Sequence, residues 1–224
     1  MASIKPLKLY SHSPSPNPFK VMIILEELGL SYELEEVGFS EIKQEPFISV
    51  NPNGRLPALE DPNTGIVLWE SAAIIEYLLD QYDQDFKLHS GSSPQKYHEA
   101  TWKHFQMSGQ GPYYGQLAWF TMFHPEKNLK SAIDRYAAEV RRVIGVIELH
   151  LTKTGQTHLV GNQVSFVDLM WFPWNDMAGQ YLLGEGGAEE WQKTWPKSYE
   201  WHQKLAERES VKVAQEKRDA AKTQ

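Results

Sequence analysis

The first third of the chain alternates between strand-like and helix-like patterns of apolar residues. Residues 4–10, IKPLKLY, predict a short strand with a proline near its start. Asn17 is a favourable N-cap and Pro18 suits the first helical position, where a missing N–H costs nothing, so a helix is predicted to begin there. This helix is predicted to end at Gly29, and residues 32–37, YELEEV, predict a second strand.

Turn-forming residues separate the elements that follow. Residues 40–48 contain a proline and predict a loop with a short helix. Two strands are predicted at 56–61 and 66–70, because the turn signal DPNTG joins them. Apolar residues at helical spacing then predict an amphipathic helix over 71–82, which completes the order βαβαββα.

The composition changes at the end of this first region. Residues 84–94 are polar and contain Gly, Ser and Pro, which is typical of a linker. The rest of the chain has helical periodicity and predicts no strand. We therefore expect an α/β domain at 1–83, the linker at 84–94 and an all-α domain at 95–224. Residues 214–224, AQEKRDAAKTQ, are predicted to be a solvated run of charges.

The second domain contains four long helical patterns. They lie at 95–123, 127–153, 166–182 and 196–216. Three glycines and a proline are expected to break or bend the first pattern, because these residues are unfavourable inside a helix. They are Gly109, Gly111, Pro112 and Gly115.

Length and composition exclude several classes of protein. With 224 residues the chain can form one large domain or two small ones, and 41% hydrophobic residues argue against disorder. A net charge of −7 argues against a general nucleic-acid binder. No apolar run approaches the ~20 residues that span a membrane, and the N-terminus lacks the apolar stretch of a signal peptide. We therefore expect a soluble cytoplasmic protein that binds neither nucleic acid nor membrane.

The sequence contains no cysteine, which restricts its chemistry. Disulfides, thiolate metal sites and a cysteine nucleophile are excluded, so any sulfur that reacts must come from a ligand. His98 and His104 lack the spacing of a helical metal pair, and no acidic residue is placed with them. No metal site is expected.

The segment NPNGRLPALED, residues 51–61, contains a proline just before a predicted strand. The residues alone favour a trans bond between Leu56 and Pro57, because only about 5–6% of X–Pro bonds in folded proteins are cis. A cis bond would instead turn the N–H and C=O of Leu56 outward, where they could pair with an extended peptide as a sheet edge does.

Glu70 and Ser71 stand at the start of the predicted helix 71–82. Ser71 can serve as a plain N-cap, which would explain it without a ligand. Alternatively, the Ser71 hydroxyl and the first helical N–H groups could bind a carboxylate while Glu70 binds an ammonium. Together the two residues would then recognise an α-amino acid head group. In the second domain, Ser165 and Asp168 form a capping-box pattern before an apolar run, and we expect this pair to be structural.

These motifs together resemble the glutathione transferases. The resemblance rests on the order βαβαββα, on RLPAL before a hairpin, on WESAAIIEYL, and on the capping box at Ser165. It covers nearly the whole chain and implies an N-terminal thioredoxin-like domain followed by a C-terminal helical bundle. The segments SHSPSPNPFKV, FISVNPNGRLPALED, LWESAAIIEYL and 108–127 resemble the fungal class related to the prion-forming regulator of nitrogen catabolism. That regulator carries a long Asn/Gln-rich N-terminal extension, whereas this sequence starts at its first strand, so an enzyme or ligand carrier is expected.

The resemblance also implies a glutathione site. Pro57 becomes a cis-proline with Leu56 pairing to the cysteinyl backbone, and Glu70 with Ser71 becomes the γ-glutamyl site. The glycine carboxylate is expected near Lys43 or Gln44, because a cation or an amide suits it. Weaker candidates for the same contact are Arg55 and Asn53. Asn17 takes the place where relatives carry Tyr, Ser or Cys.

Asn17 cannot act as a nucleophile or a base at neutral pH, but its NH₂ can donate a hydrogen bond to sulfur. A hydrogen bond to a charged acceptor contributes roughly 1.5–3 kcal/mol, which corresponds to about one or two pKa units below the ~8.5 of a free thiol. The helix N-terminus acts in the same direction, and the prolines of the segment 14–18 would hold the donor in place. The alternative donors are Ser11, Ser13 and Ser15. Of these, Ser15 is a candidate catalytic residue together with Asn17.

The aromatic segment PYYGQLAWFTMF, residues 112–123, is expected to be mostly helix core. The helical domain is expected to contribute the site for a flat apolar co-substrate. Tyr113, Trp119 and Phe123 are the residues expected to contact it. The expected partners are glutathione, as a co-substrate and not a permanently bound cofactor, and a small aromatic electrophile, peroxide or glutathione conjugate. The resemblance further implies a homodimer.

Four functions remain in competition at this point. The first is a detoxifying glutathione transferase that uses Asn17 for conjugation, peroxide reduction or deglutathionylation. The second is a glutathione-dependent disulfide reductase. The third is a non-catalytic carrier, or ligandin, for aromatic metabolites. The fourth, ranked last, is a regulator that binds a transcription factor.

Overall fold

The structure is a computed structural model that describes residues 4–126 and 128–221. Its first part contains the predicted βαβαββα order, which confirms the α/β reading of this region. The elements are β1 (Leu7–Ser11), α1 (Pro16–Glu27), β2 (Tyr32–Glu36), α2 (Phe47–Val50), β3 (Ala58–Asp61), β4 (Ile66–Trp69) and α3 (Ser71–Tyr82). Lys127 and residues 1–3 and 222–224, which the predicted ranges include, lie outside the described residues.

The four strands form one mixed sheet in the order β2-β1-β3-β4. Leu9 of β1 pairs with Leu34 of the parallel β2 and with Leu59 of the antiparallel β3. Leu9 and Leu59 are completely buried because they lie on central strands, whereas Val67 on the edge strand β4 is 49% exposed. The sheet order places the end of β1 beside the start of β3, which brings the segments around Asn17 and Leu56 to neighbouring strands.

The second part is helical, and its described residues contain no strand. Its elements are α4 (Gln95–Phe105), α5 (Gly111–Ala118), α6 (Lys130–Thr154), α7 (Phe166–Met177), α8 (Gly187–Thr194), α9 (Pro196–Ala206) and α10 (Glu209–Ala221), with π-helical segments at Gln106–Gln110, Trp119–Phe123 and Ala178–Leu182. The first predicted pattern, 95–123, is therefore one helical path interrupted by π-helical turns. None of the described helices is long and apolar enough to cross a membrane.

The last helix belongs with the sheet, which differs from the predicted all-α domain at 95–224. The chain divides into a first unit, which ends at Leu88 and resumes at Glu207, and a second unit, His89–Ala206. α10 packs on α1, with Val211 and Ala214 completely buried. Residues 214–221 belong to this helix, and Ala214 is buried, whereas residues 215–221, which include the charged side chains, are partly or fully exposed, as predicted.

Ion pairs explain how so polar a helix can pack. Arg208 donates through Nε to Glu27 Oε1 at 2.7 Å, and Ser210 donates to the same oxygen at 2.6 Å. Lys217 Nζ lies 2.6 Å from Glu26 Oε1 and over the Tyr32 ring. Lys217, which lies in the run predicted to be solvated, and Arg208, which precedes that run, thus both find acceptors on α1.

Asp168 organises the start of α7 in the second unit. The Ser165 N–H and hydroxyl both donate to Asp168 Oδ2, at 2.9 and 3.1 Å. The other carboxylate oxygen accepts from the Leu159 N–H and from Trp201 Nε1, both at 2.9 Å. Asp168 is completely buried, so its carboxylate has no contact with bulk water. These hydrogen bonds replace those that the carboxylate would make to water when exposed.

A buried histidine lies in the aromatic core of the same unit. The His202 ring stacks on Phe172 and on Trp191, with centroids 4.7 and 5.0 Å apart. Its Nδ1 is buried and has no hydrogen-bond partner among the described residues. Burial lowers the pKa of His202 from its ordinary 6.5 to about 3, so the ring is neutral in the folded protein.

Candidate functional site

The first turn of α1 follows directly after β1. The helix begins at Pro16 with Ser15 as its N-cap, which corrects the predicted start with Asn17 as N-cap. The reason is that Pro16 itself fits the first helical position, and Ser15 has the extended backbone (φ −61°, ψ 128°) of a capping residue. Asn17 therefore lies inside the first turn between two prolines and is partly buried. Asn17 thus lies in the turn where the backbone N–H groups of a helix lack acceptors within the helix itself.

The alternative donors lie in the loop that leads into this turn. The Ser15 side chain makes no capping hydrogen bond, although its N–H donates to the His12 carbonyl at 2.7 Å. The Ser13 hydroxyl oxygen is buried and finds no hydrogen-bond partner among the described residues, while its N–H donates to Glu36 Oε2 at 3.1 Å. Both hydroxyl groups therefore remain candidates beside Asn17.

The loop before β3 is held by Asn51, a residue that the sequence reading missed. Asn51 is almost completely buried, and its Nδ2 donates to the Arg55 carbonyl at 2.6 Å. Its Oδ1 accepts from the Asn53 N–H at 2.9 Å, and its carbonyl accepts from the Gly54 N–H at 2.8 Å. The NPNG turn pattern was the available signal, because Asn side chains commonly bond the backbone two residues on. Asn51 thus fixes the approach to Leu56.

Leu56 and Pro57 follow this loop, and the bond between them is cis. The resemblance implied this isomer, whereas the residues alone favoured trans. The Leu56 side chain packs against the cluster of Tyr10, Phe47 and Ala58. Neither the N–H nor the C=O of Leu56 makes a hydrogen bond within the described part of the chain. The residue thus offers one donor and one acceptor beside the first residue of β3.

Glu70 and Ser71 lie at the start of α3, and the predicted N-cap role of Ser71 is wrong. Glu70, not Ser71, is the N-cap residue, and it has φ 71° and ψ 114°, in a region that non-glycine residues rarely adopt. Ser71 is the first helical residue and is buried, with its hydroxyl turned towards α1. Glu70 is exposed. A residue with a strained backbone and an exposed carboxylate, next to a buried hydroxyl at a helix start, fits a binding site better than a plain cap.

Lys20 is the second residue that the sequence reading missed. It lies in the middle of the buried run Pro18–Leu25 and is only 1% exposed. Its Nζ donates to Ser71 Oγ across a distance of 3.3 Å. Burial lowers the pKa of Lys20 to about 7, and the Glu70 carboxylate acts in the opposite direction. A lysine inside the apolar pattern FKVMIIL was the only sequence signal.

The four candidates for the glycine carboxylate lie around the Asn51 loop. Lys43 Nζ donates to the Asn53 carbonyl at 2.8 Å, and Gln44 Nε2 donates to the Ser40 carbonyl at 2.9 Å. The Arg55 side chain is exposed. Gly54 (φ 57°) lies close to this segment, since a Cβ there would be 2.5 Å from the Ile42 carbonyl oxygen. The structure therefore brings Lys43 and Asn53 into contact, but it directs Gln44 towards Ser40.

The aromatic candidates of the second unit fall into two groups. Trp119 and Phe123 are 48% and 57% exposed and stack with a centroid distance of 6.3 Å. Tyr113 lies instead near Tyr136, with ring centroids 6.4 Å apart. Trp119 and Phe123 thus form an exposed apolar surface, whereas Tyr113 belongs to a separate ring pair.

Comparison with known families identifies the class of protein to which this two-part fold belongs. The N-terminal domain of glutathione S-transferase matches residues 5–80, and the C-terminal domain of glutathione S-transferase matches residues 112–209. The chain belongs to the glutathione S-transferase family. The predicted thioredoxin-like domain followed by a helical domain is thereby confirmed.

Individual relatives and solved structures that resemble this chain are fungal glutathione transferases. Glutathione S-transferase 2 of Schizosaccharomyces pombe is 41% identical over 228 residues, which cover 96% of this chain and 97% of that protein. The crystal structure of glutathione transferase URE2P6 of Phanerochaete chrysosporium, in complex with oxidized glutathione, is 44% identical with a TM-score of 0.89. The aligned region covers 96% of this chain and 97% of that one.

A third relative was crystallised with an aromatic conjugate. Ure2p5 of Phanerochaete chrysosporium, cocrystallised with 1-(S-glutathionyl)-2,4-dinitrobenzene, is 34% identical to this chain with a TM-score of 0.89. The alignment covers 100% of this chain and 99% of that one. The expected resemblance to glutathione transferases, and to their Ure2-related class, is confirmed.

Proposed function

We propose that this enzyme binds glutathione in its first unit and activates the thiol through the amide of Asn17, so that the sulfur attacks small aromatic electrophiles. The observation that carries the proposal is the position of Asn17 between Pro16 and Pro18, in the first turn of α1. A cysteine-free chain must take its reactive sulfur from a ligand, and this turn offers a fixed donor together with the positive end of a helix.

Glutathione would be held along the edge formed by the starts of α1, β3 and α3. The Leu56 N–H and C=O would pair with the cysteinyl residue, as two neighbouring strands pair. The γ-glutamyl head group would place its ammonium at Glu70 and its carboxylate at Ser71. Lys43 would bind the glycine carboxylate, because its ammonium already lies beside the Asn51 loop, with Gln44 and Arg55 as alternatives.

Asn17 would act by stabilising the thiolate. One hydrogen bond to a charged sulfur contributes roughly 1.5–3 kcal/mol, or about one to two pKa units, before burial of the thiolate takes part of this back. In conjugation, the thiolate attacks the ring carbon that carries a halide, a C–S bond forms, and the halide leaves with the electron pair of its bond. The complex of Ure2p5 with the dinitrobenzene conjugate supports this reaction class.

A second candidate function is glutathione-dependent disulfide reduction. It is favoured by the relative URE2P6, whose structure contains oxidized glutathione. In this reaction the activated thiolate attacks a sulfur of the substrate, a new disulfide forms, and the displaced thiolate leaves. A second glutathione can then resolve that disulfide, so the chain itself needs no cysteine.

The apolar part of the co-substrate would bind at Trp119 and Phe123, because these stacked rings are exposed on the second unit. Tyr113 is a weaker candidate, since it is packed near Tyr136. A protein that binds such compounds without turnover would be a carrier. Measurement of turnover therefore distinguishes an enzyme from a carrier.

We also propose a homodimer. The edge strand β4 exposes Ile66, Val67 and Trp69 by 38–49%, and an apolar sheet edge of this kind is usually covered by a partner. Sedimentation equilibrium should give twice the mass of one chain, and a monomer at micromolar concentration would contradict the proposal.

The test of the thiol mechanism compares Asn17→Ala with Ser15→Ala and Ser13→Ala. Ultraviolet absorption of the thiolate measures the pKa of bound glutathione, and conjugation of 1-chloro-2,4-dinitrobenzene measures turnover. We expect Asn17→Ala to raise that pKa by about one unit or more and to lower the rate at pH 7 about tenfold. A shift in either serine variant with none in Asn17→Ala would assign the role to the hydroxyl.

A further inference from the structure

Lys20 and Ser71 form a buried pair behind the γ-glutamyl site. The lysine reaches from α1 to the first residue of α3, with Nζ 3.3 Å from Ser71 Oγ. Both residues are less than 5% exposed, so neither side chain is a surface group that happens to lie nearby. Glu70, the adjacent residue, is exposed and acts electrostatically on Lys20. The pair therefore connects a buried cation to the residue proposed to hold a ligand carboxylate.

We infer that Lys20 is a positioning residue that orients the Ser71 hydroxyl towards the ligand carboxylate and makes glutathione binding depend on its own protonation. This inference rests on the proposed function, because it assumes that Ser71 binds the γ-glutamyl carboxylate. It assigns no contact between Lys20 and glutathione itself.

The direction of the hydrogen bonds follows from the groups involved. An ammonium has three donors and no acceptor, whereas a hydroxyl has one donor and two acceptor positions. Protonated Lys20 must therefore donate to Ser71 Oγ, so the hydroxyl hydrogen of Ser71 points to an acceptor other than Lys20. A carboxylate can only accept, so it fits the end of the chain Lys20→Ser71→carboxylate. Neutral Lys20 can accept instead, and the Ser71 hydrogen could then turn inward.

The charges in the site give the sign of the pH dependence. The charged group that acts on Lys20 from α3 is Glu70, and on the α10 side Arg218 lies over the ring of the neighbouring Phe19. The ammonium of a bound γ-glutamyl group would neutralise Glu70, while its carboxylate would bring a new negative charge next to Ser71. That charge favours protonated Lys20, so binding takes up a proton and weakens as the pH rises above the pKa of the empty site.

Calorimetry with S-methylglutathione tests this, because its blocked thiol cannot release a proton. Titrations at pH 7.5 in buffers of different ionisation enthalpy measure the protons that are taken up on binding. With a Lys20 pKa of about 7 in the empty site, wild type should take up about three quarters of a proton. Lys20→Met should lose about tenfold or more in affinity and take up none.

Two further variants separate positioning from general damage. Lys20→Arg keeps a buried donor that is always charged, so it should bind within a few-fold of wild type without proton uptake. Lys5→Met removes an exposed lysine of the same unit and should change neither quantity. Circular dichroism shows whether each variant is folded.

The outcomes distinguish this inference from the function on which it rests. If wild type does not bind S-methylglutathione, the glutathione site itself is wrong. If wild type binds without proton uptake, or a folded Lys20→Met binds as tightly as wild type, the role of Lys20 is wrong and the glutathione site stands.

Discussion

Burial of His202 predicts that the second unit loses stability in mild acid. The ring lies between Phe172 and Trp191, and its pKa is about 3 in the folded chain against about 6.5 when unfolded. A base with a depressed pKa takes up its proton only after unfolding, so the unfolded state binds more protons as the pH falls. Stability from this group is complete above about pH 6.5 and is lost as the pH decreases below that value.

The size of the effect follows from the gap between the two pKa values. pH 5 lies about 1.5 units below the pKa of the histidine in the unfolded chain, and each unit corresponds to about 1.36 kcal/mol. The free energy of unfolding is therefore expected to be about 2 kcal/mol lower at pH 5 than at pH 7. His202 is completely enclosed, so solvent screening does not reduce this value appreciably. The same loss would continue at about 1.36 kcal/mol per unit until the pH approaches 3.

Urea unfolding of His202→Phe and wild type at pH 7 and pH 5 measures this effect. The difference in the free energy of unfolding between the two proteins should move by about 2 kcal/mol in favour of the variant at the lower pH. Any packing defect of the larger ring shifts both values equally and cancels. His98→Phe, at an exposed position, provides a control for the effect of the substitution itself. A His202→Phe difference that stays constant within about 0.5 kcal/mol would refute the reasoning.

Three other substitutions test the proposed site. Glu70→Gln keeps the side-chain shape but removes the charge, so the Kd for glutathione from calorimetry should rise about tenfold, and an unchanged Kd would exclude Glu70 from the γ-glutamyl site. Gly54→Ala should lower the free energy of unfolding in urea by about 1–3 kcal/mol, because φ is 57° and the added Cβ would meet the Ile42 carbonyl oxygen. The control Gly65→Ala should lower the free energy of unfolding less, because φ is 78° there but the Cβ would meet no neighbouring atom. Trp119→Ala should raise KM for 1-chloro-2,4-dinitrobenzene by about tenfold and leave glutathione affinity unchanged, whereas parallel losses would point to a structural role.

The order of the first unit was predictable because its signals are local. Each strand is short and bounded by Gly, Pro or Asn, and the helices 17–28 and 71–82 have apolar residues at helical spacing. The start of α1 was misplaced by a short distance, because both Pro16 and Pro18 can occupy an early helical position. Sequence composition does not decide between two prolines that fit equally well.

The errors and omissions concern residues whose partners are distant in sequence. Lys217 looked solvated because its acceptor, Glu26, lies 191 residues away. Lys20 looked like an interruption of an apolar helix because Ser71, which accepts its hydrogen bond, is 51 residues away. The local sequence around a charged residue does not show whether its side chain pairs with a distant residue or with water. Only the fold identifies that partner.

The two parts of the proposed mechanism meet on one helix. Asn17, the proposed sulfur donor, and Lys20, the proposed positioning residue, are three residues apart on α1 and therefore lie on neighbouring positions of its surface. α1 also packs against α10, through the ion pairs of Glu26 and Glu27. In the proposed mechanism, a helix that carries both groups would fix the sulfur end of glutathione relative to its γ-glutamyl end before the ligand arrives. The C-terminal helix would then support catalysis without containing a proposed site residue, because its ion pairs to α1 would restrict the movement of the helix that carries two of them.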